Sequence, residues 1–169
     1  MKYEESKRCR NIRRVLIAIF IICGYMLSTT FAYAYIDVDG KEELIAMTAL
    51  NIAFGSMGAD HPVYRNAVYG TLYMIIPLVG FLFMFFDHKS NKKNYVGMAC
   101  GILGCLSIAL PLGFSGQLSP GIGAIVNILL YLITTPLSAI SIFMKIEDNR
   151  KISDEKPSGE VAPRLKSHR

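Results

Sequence analysis

No charged side chain interrupts the four long apolar runs of this 169-residue chain. The runs are Val15–Ile36, Val68–Phe86, Val96–Phe114 and Ile122–Met144, and all 18 Lys/Arg and all 13 Asp/Glu lie outside them. Coupled carriers and pumps place ionisable groups inside the membrane, where these bind and relay the ion. A coupled transporter acting alone is therefore disfavoured. An internal repeat of the kind that builds many transporters is also lacking. The segment between the first two runs has no cysteine, since Cys9 precedes the first run and Cys23, Cys100 and Cys105 fall within runs. That excludes a disulfide scaffold as the organising device, and cysteines buried in helices act mostly as small hydrophobes. Cys100 and Cys105 stand about 140° apart around a helix and so do not pair with each other. There is no phosphate-binding glycine loop, no His/Glu zinc arrangement and no nucleophile elbow. Catalysis is not expected on these grounds, and neither a cofactor nor a metal is expected.

What remains is apolar. Aliphatic, aromatic and sulfur residues make up 52% of the chain and charged residues 18%, the latter in blocks. The four runs contain 22, 19, 19 and 23 residues. At helical rise they reach roughly 28–35 Å, which matches a hydrocarbon core of about 30 Å. The expected fold is an all-α integral membrane protein with four transmembrane helices. A basic terminus (1–14) precedes a transmembrane domain (15–144), whose spans cover 15–36, 68–86, 96–114 and 122–144. An outer loop (37–67) carries a short interfacial helix, and a disordered tail (145–169) follows.

The net charge of +5 is a topology signal. Residues 1–14 hold six Lys/Arg, the turn 87–95 three and the tail seven, whereas the outer loop holds only Lys41 and Arg65. By the positive-inside rule both termini and the turn are cytoplasmic, in a cell (plasma) membrane. The same basic segments suit anionic lipid headgroups, at about 1 kcal/mol per residue near the surface. Nucleic acid is not an expected partner. Ala32-Tyr33-Ala34 resembles a signal-peptide cleavage site, but the apolar run continues through Ile36, so a retained signal-anchor helix is the preferred reading.

The outer loop opens Asp37-Val38-Asp39-Gly40, like the start of a calcium loop. Lys41 breaks the series and no distal carboxylate completes it. The preferred reading is an N-cap at Asp39 with Glu42 closing a capping box, followed by a helix over Glu42–Phe54, where Leu44, Met47, Leu50 and Phe54 recur near helical spacing. Gly55-Ser56-Met57-Gly58 ends it. Asp37, Asp39, Glu42, Glu43, Asp60 and His61 are the loop groups suited to acid–base or metal chemistry, and a solvated face is the commoner use of such residues.

Pro77 should kink the second span, whose cytoplasmic end is aromatic. Gly97, Gly101 and Gly104 fall on one face of the third span, at a spacing that lets two backbones approach closely. Asn127 is the most polar side chain in any span and should face the bundle and hydrogen-bond to a neighbour, with a substrate contact as the alternative. Thr134, Ser138 and Ser141 share a face and read as packing. Four spans with a larger first outer loop match tetraspanins and claudins in topology only. The loop cysteine pairs that would carry such a resemblance are absent, so no family is assigned. The expected function is a non-catalytic subunit or interaction protein of a membrane assembly, with a membrane-protein partner or a homo-oligomer. The alternatives are an oligomeric passive pore or small-solute permease lined by Pro77, Asn127 and Pro136, and a membrane enzyme using the acidic outer loop.

Overall fold

The computed structural model describes residues 6–38, 41–54, 67–87, 90–114 and 118–154. The elements in chain order are α1 (Lys7–Met26), β1 (Ala32–Val38), β2 (Lys41–Met47), α2 (Ala49–Phe54), α3 (Ala67–Phe86), α4 (Lys92–Phe114), β3 (Leu118–Pro120) and α5 (Ile122–Asp154). Among the described residues, three helices are long and apolar enough to cross a membrane, through Val68–Phe86, Lys92–Gly113 and Ile122–Glu147. They support a membrane location. In lipid every backbone polar group must be satisfied within the segment, which leaves an uncharged run of this length little choice but helix.

The structure is mostly helical, as expected, but not wholly so, because a three-stranded antiparallel sheet of order β2-β1-β3 closes one end of the helices. The first apolar run is not one helix. α1 stops at Met26, leaving only Val15–Met26, about 18 Å of apolar helix. The cause is local. Ser28 Oγ and Thr29 Oγ1 donate to the Tyr25 and Met26 carbonyls, each at 2.7 Å, so side-chain hydroxyls take over the terminal acceptors in place of a further turn. Downstream, Ala32-Tyr33-Ala34-Tyr35 alternates small and large with period 2 before Ile36, and aromatic and β-branched residues suit a pleated surface. Ala32 and Ala34 are buried while Tyr33 and Tyr35 are exposed.

The expected helix over Glu42–Phe54 is likewise corrected. Lys41–Met47 pairs with β1 in the register Ala32↔Met47 to Val38↔Lys41, and only Ala49–Phe54 is helical. Glu42 therefore lies in a strand and closes no capping box; Asp39 lies outside the described residues. Part of the signal for a hairpin was present in Asp39-Gly40, a dipeptide that favours tight hairpin turns, but the segment after it, Lys41–Met47, is three polar residues followed by four apolar ones and lacks the strand alternation. The tail also differs from expectation. α5 runs on to Asp154, so residues 145–154 are helical. Once a packed span has met the cost of nucleation, each further residue adds a hydrogen bond at little expense.

The helices pack antiparallel in sequence order, and α1 lies beside α3 and α5. Phe20 of α1 sits against Gly80 of α3, and Met26 against Gly123 of α5. One end of the bundle carries the α3–α4 turn and the other the sheet. The core between the helices holds Leu16, Phe20, Cys23, Met84, Ile108 and Tyr131. Beneath the sheet, Phe31 meets Tyr73 with ring centroids 4.7 Å apart.

Candidate functional site

The residues singled out by their chemistry converge on the α4–α5–α1 interface. Gly97, Gly101 and Gly104 face α5. A Cβ at Gly97 would meet Met84 Cε and lie 2.7 Å from Ser138 Oγ. One at Gly101 would meet Thr135 Oγ1 and stand 3.0 Å from the Tyr131 carbonyl oxygen, and one at Gly104 would lie 2.6 Å from the Tyr131 ring. The glycine face is thus covered by the protein's own fifth helix. Close approach of this kind supplies dispersion contacts where lipid offers no hydrophobic drive between helices.

Asn127 is fully buried, and its Nδ2 donates to the Cys23 carbonyl oxygen at 3.3 Å. The backbone explains why that oxygen is available. α1 ends in a tightened turn, with the Leu27 amide bonded to the Gly24 carbonyl. The Cys23 carbonyl thereby loses the donor an unbroken helix would supply. Asn127 caps α1 from 104 positions along the chain. Tyr131, one turn on, is 2% exposed and shares a hydrogen bond with the Cys23 side chain. Thr134, Ser138 and Ser141 follow on the same buried face. The four cysteines are all free thiols.

The turn end has a comparable cap. Arg13 Nη1 donates to the Met84 carbonyl oxygen at 3.4 Å, which puts a cation at the C-terminus of α3, where the helix dipole favours one. Asp87 Oδ1 accepts from the Ser90 amide at 2.8 Å, and Ser90 Oγ from the Lys92 amide at 2.9 Å, so the basic turn is set by its one acid. Lys93, Asn94 and Lys145 are buried there.

At the sheet end, Gly121 and Gly123 let the start of α5 lie against the α1–β1 connection. A Cβ at Gly121 would lie 2.8 Å from the Phe31 carbonyl carbon, and one at Gly123 2.7 Å from the Met26 carbonyl oxygen. The Gly121 amide bonds the Phe31 carbonyl and the Gly123 amide the Thr30 carbonyl, both at 2.9 Å. Sequence reasoning missed this clasp and the roles of Tyr131 and Arg13. The Gly-Ile-Gly pair at a helix start was the available cue for the clasp, and an inward tyrosine in an apolar run was the cue for Tyr131.

The outer-loop acids fall in the hairpin. The register sets Asp37 opposite Glu42 and Ile36 opposite Glu43. Asp39, Asp60 and His61 lie outside the described residues. Among the described residues no group of three or more His, Cys, Asp or Glu is placed to hold a metal ion. The three side chains considered for a common path are divided: Asn127 and Pro77 are buried, whereas Pro136 is exposed. The sheet face turned away from the helices carries Tyr33, Tyr35 and Leu44, exposed by 36%, 44% and 57%, and the Tyr35 hydroxyl hydrogen-bonds Ser119 Oγ at 3.1 Å. No protein family, curated protein or solved structure matches this chain.

Proposed function

We propose that the protein is a non-catalytic subunit or interaction protein of a membrane assembly. In this reading α1 is a retained fourth span, the turn end and both termini are cytoplasmic, and the sheet stands on the outer side of the cell membrane. The packing of α1 against α3 and α5 from Arg13 to Met26 supports a fourth span. The arginines and lysines gathered at the turn end support the orientation.

The observation that carries the functional reading is where the distinctive residues are spent. The glycines and Asn127 fasten the bundle to itself, while Tyr33, Tyr35 and Leu44 stand exposed on a sheet tied to the bundle by the Gly121 and Gly123 amides. Tyrosine is enriched in contact surfaces because it covers area at low entropic cost. Native mass spectrometry after mild-detergent extraction tests this. A partner protein or a homo-oligomer in fixed stoichiometry is expected, and Leu44→Lys should weaken it; a clean monomer refutes the reading. The passive-pore alternative draws on the polar buried face of α5 and predicts that reconstituted protein leaks small solutes in a manner altered by Asn127→Leu.

A further inference from the structure

Along α5, Asn127, Tyr131, Thr134, Ser138, Ser141 and Lys145 recur at alternating steps of four and three residues, and every one is buried. One inward face of the helix is therefore polar from near the sheet end to the turn end. Successive members lie about 4.5–6 Å apart along the axis, close to the length of two hydrogen bonds laid end to end. Thr134 Oγ1 donates to the Leu130 carbonyl at 2.8 Å, and Tyr131 is bonded to Cys23. Two members of the face have polar atoms that are not so provided for. Asn127 Oδ1 and Ser138 Oγ are buried without a hydrogen-bond partner among the described residues. Turning the Asn127 amide does not cure this, because the Cys23 carbonyl only accepts and so holds Nδ2 toward itself. On α4, Asn94 Oδ1 is in the same state, one turn before Gly97, which faces Ser138. Fully buried acceptors in a low-dielectric interior call for a small donor, and water is the donor that fits between groups one helical turn apart.

We propose that the buried face of α5 is a water-binding seam, with one water donating to Asn127 Oδ1 and a second held at Ser138 Oγ. The second site lies toward the turn end, near the level of Lys93 and Lys145. The first is enclosed, between the Tyr131 ring packed on Gly104 and the backbone clasp at Gly121 and Gly123. No charged residue of α5 lies between Asn127 and Lys145, so the seam suits a neutral hydrogen-bonding molecule and not an ion.

The test uses the full chain in lipid bilayers and solid-state NMR with magnetisation transferred from water. Transfer is expected at the Asn127 side-chain amide and at Ser138, and none at Leu129, Ile133 and Ile140 on the lipid-facing side of the same helix. Ser138→Ala should abolish transfer at position 138 and leave that at Asn127 intact. Absence of transfer at Asn127 in a folded sample overturns the proposal. Absence at Ser138 alone also overturns the seam, since the hydroxyl then bonds its own helix as Thr134 does. The wild-type spectrum decides even if a variant fails to fold.

Discussion

Replacing Gly101 by alanine is the most direct probe of how the helices are joined. In a helix interior Gly→Ala is intrinsically favourable by about 1 kcal/mol. At Gly101 the new Cβ would meet Thr135 Oγ1 and stand 3.0 Å from the Tyr131 carbonyl oxygen and 3.2 Å from the Thr135 amide nitrogen. The last two atoms are backbone, so relief requires α5 itself to retreat. Overpacking of that kind costs about 1–3 kcal/mol, so Gly101→Ala should range from neutral to about 2 kcal/mol destabilising once the propensity gain is set against it. Gly113 is the internal control: it lies in the same helix with nothing within 4 Å of its Cβ position, and Gly113→Ala should gain about 1 kcal/mol. The gap between the two variants is the overpacking contribution, about 1–3 kcal/mol. Reversible unfolding in mixed micelles, or steric trapping in bilayers, measures it. Equal effects at Gly101 and Gly113 would refute the claim that the glycine face is filled by α5.

Asn127→Leu removes the cap on α1 and strands the Cys23 carbonyl; a loss of about 0.5–2 kcal/mol is expected from interhelical hydrogen bonds in membranes, read in the same unfolding assay. Gly123→Val should break the clasp between α5 and the α1–β1 connection, seen as faster amide exchange in β1 with the α3–α4 hairpin unchanged. Tyr35→Phe deletes only an exposed hydroxyl contact with Ser119, so stability should stay within about 0.5 kcal/mol; a larger drop would mean that the outer sheet face is more tightly integrated than its exposure implies.

Much of this protein was legible in its sequence because the bilayer is a severe solvent. Runs such as Val68–Phe86 and Ile122–Met144 carry no charge, and in lipid such a run satisfies its backbone most simply as a helix. The glycine spacing on α4 and the inward placement of Asn127 follow from the same constraint, since a small-residue face invites a neighbour and an amide avoids lipid. The sequence could not say which neighbour. Gly101 meets α5 rather than a second protein, and Asn127 meets a carbonyl that is available only because α1 tightens at Leu27.

The stretch from Leu27 to Met47 was decided by tertiary structure. Locally, Leu44, Met47, Leu50 and Phe54 fit a helix as well as Ala32–Val38 fits the end of a span, because short apolar segments carry both periods at once. What settles them as strands is pairing: β1 lies between β2 and a three-residue strand that begins 80 positions beyond Val38, at Leu118. Hydrogen bonds of that sequence separation leave no periodic mark on either segment. Composition and period therefore determined the three long apolar helices, and contacts between segments far apart in the chain determined the sheet and the partners of Gly97, Gly101, Gly104 and Asn127 inside the bundle.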